Sequence, residues 1–120
     1  MIINWFTIRV NDFEQSKEFY RDYLGMQVEN EFSPDKSTSI VFFSADSDTK
    51  IELIHNKDFK VEKTQNSSVS IGLTVQNYDE LLEEARNRNI IAQEPALLGG
   101  HLLCFFVQDP NGVRIQIIKE

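Results

Sequence analysis

Residues 5–25 read WFTIRVNDFEQSKEFYRDYLG and decide the fold. The alternation of apolar and polar side chains over Trp5–Val10 predicts a half-buried β-strand. Asp12 precedes Gln15 by three residues, a spacing typical of the capping box at the start of a helix. Apolar residues then recur at helical spacing, and Gly25 suits the left-handed conformation that ends many helices. The segment therefore predicts a strand followed by an amphipathic helix.

The same unit occurs a second time in the second half of the chain. Ser70–Val75 alternates in the same phase, and the residues after Asn77 give a second amphipathic helix. The end of the unit also repeats, because Ile51–Ile54 recurs as Ile115–Ile118. Two copies in one short chain predict a duplicated supersecondary unit with pseudo-twofold symmetry.

Between these landmarks, runs rich in β-formers complete a β-α-β-β-β order in each copy. We predict an α+β fold of duplicated βαβββ modules, with a curved, cup-like mixed sheet and the helices on its outer face. One domain spans residues 1–120, with module one at about 1–56, a linker at about 57–67 and module two at about 68–120. A short strand at Ile90–Gln93 is expected to stop at Pro95, because proline cannot donate to a sheet ladder.

Bulk properties exclude several classes of function. The formal net charge is −7, which opposes nucleic-acid binding, since that requires a basic surface. No apolar run reaches membrane-spanning length, and the N-terminus lacks a basic region followed by a long apolar segment, so a cytoplasmic protein without a membrane partner is expected. Cys104 is the single cysteine, which excludes an intramolecular disulfide and a cysteine-rich zinc site.

Strand parity predicts which side chains face the helices and which face the cup. The helix-facing set is Phe6, Ile8, Ile51, Leu53, Ile71, Leu73, Ile115 and Ile117, and Cys104 is expected with it as a small core residue. If four-residue turns close simple hairpins, Phe43 lies opposite Glu52, Phe105 opposite Gln116, and Val107 opposite Arg114. A mainly apolar hollow with a few polar groups suits a small molecule. The predicted ligand-binding residues are Trp5, Thr7, Arg9, Phe43, Glu52, Ser70, Phe105, Arg114 and Gln116.

Several short phrases carry a family resemblance over essentially the whole chain. The phrases are Arg9-Val10-Asn11-Asp12, Phe19-Tyr20, Tyr23-Leu24-Gly25-Met26, Ile51-Glu52-Leu53 and Asp109-Pro110-Asn111-Gly112. They resemble the vicinal oxygen chelate superfamily, which includes glyoxalase I, extradiol dioxygenases, fosfomycin-resistance enzymes and bleomycin-resistance binding proteins. The resemblance implies two βαβββ modules around a cleft, commonly in a homodimer.

The resemblance also implies where a metal would be held. The metal enzymes of the superfamily carry His or Glu on the first, fourth, fifth and eighth strands, and those positions here are Trp5, Glu52, Ser70 and Gln116. Only Glu52 is a good ligand, and a divalent metal requires several anionic or imidazole donors. We therefore expect no cofactor and no metal ligands, with a divalent metal disfavoured.

Three functions remain open at this point. The first is a binding protein that holds a small molecule in its cup without a metal. The second is a lyase, isomerase or dioxygenase, either with an unusual metal ligand set or with Glu52 as the catalytic base. The third is a domain whose hollow is filled by its own side chains and that acts through partners.

Individual side chains also have two interpretations. Glu52 could contact a ligand or be paired with Arg9, Lys50 or Arg114, and Trp5 could be a stacking platform or filler. His55 is expected on the opposite strand parity from Glu52, so the two side chains should not bind the same metal ion. His101 is expected at the rim of the cup, after Gly99 and Gly100.

Overall fold

The computed structural model describes residues 1–65 and 67–120, and Asn66, inside the predicted linker, lies outside the described residues. The chain divides into two compact units, Met1–Glu62 and Lys63–Glu120, which we call module 1 and module 2. The division falls within the predicted linker at 57–67. Each module has one helical segment and a four-stranded mixed sheet. The predicted α+β class with duplicated βαβββ modules is confirmed.

The two modules have the same order of elements and the same strand order. Module 1 contains β1 (Trp5–Arg9), α1 (Phe13–Glu18) with a π-helical turn (Phe19–Tyr23), β2 (Gln27–Phe32), β3 (Thr38–Ser44) and β4 (Lys50–Asn56). Module 2 contains β5 (Ser70–Val75), α2 (Tyr78–Arg88), β6 (Ile91–Leu98), β7 (Leu102–Gln108) and β8 (Arg114–Lys119). The sheets run β1-β4-β3-β2 and β5-β8-β7-β6. In each sheet the first and last strands are parallel and the other pairs are antiparallel.

The first helix begins as its sequence predicts. The Asp12 carboxylate accepts a hydrogen bond from the amide of Gln15 at 3.0 Å, which satisfies one of the amides that a helix start leaves without a partner. Gly25 follows the helix with a φ of +73°, the left-handed conformation expected there. The second helix differs, because the Asn77 side chain makes no capping hydrogen bond.

Each sheet buries one face under the helix of its own module. In module 1, Tyr20 contacts Phe43 with ring centroids 6.0 Å apart, and Leu53 is fully buried. In module 2, the Tyr78 ring meets Phe105 edge-on at 5.2 Å. Burial raises the pKa of the Tyr78 phenol, since the charged form is disfavoured away from water. These aromatic contacts anchor the helix to the sheet in each module.

Two predictions about the edge strands are wrong. Phe6 was expected under the helix but is 41% exposed, because β1 lies at the edge of its sheet and has a neighbour on one side only. The strand expected to stop at Pro95 continues to Leu98. This is permitted because β6 is also an edge strand and its register shifts between Gln93 and Ala96, around the proline.

The turn between β7 and β8 is built around a buried carboxylate. Asp109 is buried, and its Oδ1 accepts hydrogen bonds from the amides of Asn111 and Val113, both at 2.8 Å. Gly112 has a φ of +87°, and a Cβ placed on it would lie 1.9 Å from the carbonyl oxygen of Thr64. The turn is therefore pressed against the segment that enters module 2, and only glycine fits at its last position.

Among the described residues, no helix is both long enough and apolar enough to cross a membrane.

Candidate functional site

The face of each sheet turned away from its helix carries the polar residues that the sequence singled out. We call it the open face of that module. In module 1 it is formed by alternate residues of the three strands β1, β4 and β3, and Thr7, Glu52 and Phe42 lie side by side on it. In module 2, Ser70 is paired with Arg114, Gly72 with Gln116, and Phe106 with Gln116.

The predicted hairpin register is wrong by one residue in both modules. Phe42, not Phe43, lies opposite Glu52, and Phe106, not Phe105, lies opposite Gln116. Val107 lies opposite Ile115, while Gln108 lies opposite Arg114. Since neighbouring residues of a strand point to opposite faces, the shift exchanges one aromatic side chain for the next.

Phe43 and Phe105 are therefore corrected from ligand-binding residues to core residues. Both have no exposed surface, and each contacts a tyrosine of its own helical segment. Phe42 and Phe106 take their places on the open faces and are half-buried. Cys104 was expected on the helix-facing side of the sheet. It is buried, but it lies on the parity of the open face, where its sulfur accepts a hydrogen bond from Gln116 Nε2 at 3.3 Å.

The Glu52 carboxylate has one hydrogen-bond donor in module 1. Thr7 Oγ1 donates to Glu52 Oε1 at 2.6 Å, a short bond of the kind that a hydroxyl makes to a charged oxygen. The alternative of an ion pair with Lys50 is not realised, because Lys50 Nζ lies 2.5 Å from the Glu29 carboxylate. Among the described residues of module 1, no cation is paired with Glu52. Its remaining lone pairs are free to accept from a ligand.

An aromatic pair stands beside this carboxylate. Trp5 meets Phe42 edge-on, with ring centroids 5.3 Å apart and the ring planes at 81°. Trp5 keeps 49% of its surface exposed, so the indole is not filler inside the module. A large, exposed and rigid ring next to a hydrogen-bond acceptor is an arrangement that binds flat or apolar ligand groups well. Arg9, on the same face, is exposed.

The open face of module 2 carries the guanidinium group of Arg114. Its guanidinium carbon lies 4.5 Å from the centroid of the Phe106 ring, and Nη2 donates to Gln93 Oε1 at 2.9 Å. Nε is buried and has no hydrogen-bond partner. Ser70 lies beside Arg114 on the neighbouring strand and is exposed. The result is a cation packed on an aromatic ring.

Each module contains one of the two histidines of the chain. His55 faces the helix side of module 1, where Nδ1 lies 3.0 Å from the Val10 carbonyl oxygen and the ring contacts Phe13. The opposite parity of His55 and Glu52 is thus confirmed. His101 lies in the exposed turn before β7, with Nδ1 2.9 Å from the Gly99 carbonyl oxygen.

Comparison with known proteins decides the family. A sequence profile described as Glyoxalase/Bleomycin resistance protein/Dioxygenase superfamily matches residues 2–117. The chain belongs to this superfamily. It is 30% identical over 118 residues to the lactoylglutathione lyase of Salmonella typhimurium, with 93% of this chain and 87% of the lyase covered.

Solved structures of the superfamily have the same fold. The trypanothione-dependent glyoxalase I of Leishmania major is 27% identical, with a TM-score of 0.81 over 100% of this chain and 87% of the other. A glyoxalase I mutant of Zea mays gives a TM-score of 0.82 at 20% identity, over 97% of this chain and 44% of the maize protein. The maize match supports the fold alone.

These superfamily relatives correct the expectation of no cofactor. Lactoylglutathione lyases and glyoxalase I are typically metal-dependent, so the prediction of a chain without a cofactor is wrong. The side chains at the four strand positions implied by the resemblance nevertheless do not fit a metal, since Trp5, Ser70 and Gln116 offer no anionic or imidazole donor. In the part of the chain that the structure describes, no three His, Cys, Asp or Glu side chains form a group that could hold a metal ion.

Sequence reasoning missed Phe42, Phe106 and Gln93. The first two were missed because Phe42-Phe43 and Phe105-Phe106 are aromatic at both parities, so alternation could not fix the phase. Gln93 was missed because β6 was expected to end there. No signal in the local sequence marks Gln93 as a partner of Arg114, because a register shift separates it from its neighbours on β6.

Proposed function

We propose that this protein binds a small organic molecule against the open face of module 1, with Glu52 as the polar contact and Trp5 as the apolar one. The observation that carries the proposal is the Glu52 carboxylate, held by the Thr7 hydroxyl at 2.6 Å and paired with no cation of its own module. A carboxylate kept as a free acceptor beside an exposed indole suits a ligand with a hydroxyl or another donor group. Membership of the superfamily supports a small-molecule ligand.

A second candidate is a lyase acting on a thioester of a hydroxy acid. It is favoured by the lactoylglutathione lyase that is 30% identical to this chain. Glu52 would remove the proton from the carbon that bears the hydroxyl group, and the electrons of that C–H bond would form an enediolate. Return of the proton to the neighbouring carbon, with transfer of the hydroxyl proton to the other oxygen of the enediolate, gives a hemithioacetal, which releases the thiol and leaves a 2-oxoaldehyde. Thr7 would hold the carboxylate in position for both transfers.

The substitution Glu52→Gln tests the first proposal. We expect it to weaken the binding of S-lactoylglutathione by about tenfold or more, because a hydrogen bond to a charged group contributes roughly 1.5–3 kcal/mol. Trp5 is the single tryptophan of the chain, so its fluorescence reports binding directly. Thermal-shift titration of the same samples gives an independent affinity, since a ligand of the native state raises the melting midpoint.

The control is Glu14→Gln, the same chemical change on α1, where Glu14 pairs with Lys17. This variant is expected to bind as the unmodified protein does. If the Glu52→Gln variant and the unmodified protein bind with equal affinity, Glu52 does not contact the ligand. Turnover of S-lactoylglutathione, assayed on protein with each divalent metal added separately, decides the lyase candidate. Binding without turnover under all these conditions would contradict it.

We also propose that the protein is a cytoplasmic homodimer. Dimers are common among its relatives, and the chain exposes a run of large apolar side chains at Ile2, Ile3 and Phe6. Exposed apolar surface of this kind is expected to be covered by a partner. Sedimentation should give about twice 13.9 kDa. Phe6→Glu should shift the protein toward the monomer, whereas Phe59→Glu, at an exposed position outside the run, should not. A monomer at every concentration would refute the dimer.

A further inference from the structure

Arg114 differs from the ion-paired cations of the chain. Lys17, Lys50, Arg21, Arg86 and Arg88 are each paired with a carboxylate. Within the described residues of module 2, Arg114 has no such partner. Its polar contact is the neutral amide oxygen of Gln93, and its Nε has neither a partner nor exposed surface.

This environment removes water from the cation without neutralising it. The guanidinium is half-buried, with the Phe106 ring 4.5 Å away on one side. A ring face offers some compensation, but less than a carboxylate gives a partly desolvated charge. The binding free energy of an anion is therefore more favourable here than at a hydrated surface lysine, because less water must be displaced.

The same contacts also hold the guanidinium in one orientation. The Phe106 ring, 4.5 Å from the guanidinium carbon, and the 2.9 Å hydrogen bond to Gln93 together restrict the movement of the group. A pre-oriented guanidinium binds planar or tetrahedral oxyanions through paired N–H groups with little loss of entropy. The exposed Ser70 hydroxyl, on the neighbouring strand, supplies a further donor.

We propose that Arg114, Phe106 and Gln93 form an oxyanion site in module 2 that binds a carboxylate or phosphate group of a small ligand. The inference goes beyond the proposed contacts of module 1, because it assigns a separate anion-binding site to module 2. The acidic balance of the chain makes such a site specific, since the net charge of −7 gives no general attraction for anions.

The test compares benzoate and phenyl phosphate with neutral benzamide, at constant ionic strength, by thermal shift and isothermal titration calorimetry on the full chain. At least one of the two anions should bind tenfold or more tightly than benzamide, and its affinity should fall as salt is added. The anion that binds more tightly identifies the group that the site takes. Equal binding of all three compounds, or no binding of either anion, overturns the inference.

Two variants separate this site from a general effect of charge. Arg114→Gln should lose the preference for the anion, whereas Arg21→Gln, which removes a guanidinium paired with Asp22 in module 1, should keep it. The ligand-free melting midpoint of Arg114→Gln should stay equal to or above that of the unmodified protein, because a partly desolvated charge without a carboxylate partner in module 2 is removed. A lower midpoint together with an unchanged anion preference would make Arg114 structural and would overturn the inference. The Glu52→Gln test with S-lactoylglutathione is read separately, so either proposal can fail alone.

Discussion

Replacing Phe105 by alanine is expected to lower the free energy of unfolding of module 2 by about 4 kcal/mol, within the range measured for buried phenylalanines. Phe105 has no exposed surface and packs edge-on against Tyr78 of α2. Its loss leaves a cavity between the helix and the sheet. The melting midpoint should fall by roughly 15 °C, since 1 kcal/mol corresponds to about 4 °C in a chain of this size. Urea unfolding followed by circular dichroism measures the change.

The neighbouring residue provides the control. Phe106→Ala removes the same ring from the same strand, but on the open face, where the ring lies under Arg114. We expect it to cost under about 1.5 kcal/mol, because the ring is half-buried and α2 packs on the opposite face of the sheet. If Phe105→Ala prevents folding, Phe105→Leu should give a smaller loss that can still be measured. Equal losses for Phe105→Ala and Phe106→Ala would contradict the register described for β7 and β8.

Gly112→Ala is expected to lower the free energy of unfolding by about 3 kcal/mol. Alanine is strained at the positive φ of +87°, and strain of this kind costs about 1–3 kcal/mol. The added methyl would also lie 1.9 Å from the Thr64 carbonyl oxygen, so the backbone of one segment must move. Differential scanning calorimetry should find a midpoint lower by roughly 12 °C.

Gly100→Ala separates the two causes. Gly100 has a similar φ of +77°, but nothing lies within 4 Å of a Cβ placed there. This variant should carry the dihedral strain alone, about 1 kcal/mol. A loss as large in Gly100→Ala as in Gly112→Ala would show that the contact with Thr64 contributes nothing. The difference between the two variants is the cost of displacing the segment that leads into β5.

The sequence was sufficient to predict the fold because the same supersecondary unit occurs in it twice. The phase shared by Trp5–Val10 and Ser70–Val75, together with the recurrence of Ile51–Ile54 as Ile115–Ile118, predicted both the modules and their element order. The capping role of Asp12 was also predictable, since it depends on residues three positions apart. Local rules of this kind need no knowledge of tertiary structure.

The candidate site was only partly predictable, for two physical reasons. Register depends on how many residues each hairpin loop uses, and a shift of one residue moved Phe43 and Phe105 into the core. The partners of polar side chains depend on which strands become neighbours. The Thr7–Glu52 hydrogen bond and the Gln93–Arg114 hydrogen bond join residues 45 and 21 positions apart, and neither follows from local pattern.

The parallel pairing of β1 with β4 makes the assembly of module 1 depend on its last strand. The first strand has no hydrogen-bonded neighbour in its sheet other than β4, so Trp5–Arg9 must remain unpaired until Lys50–Asn56 has been synthesised. Closing a loop of that length is entropically costly and slow compared with forming the β2-β3 hairpin. We expect the hairpins to form early and β1 to dock last. The fluorescence of Trp5 would then report the final step of folding. In a chain truncated before residue 50, Trp5 would remain in water.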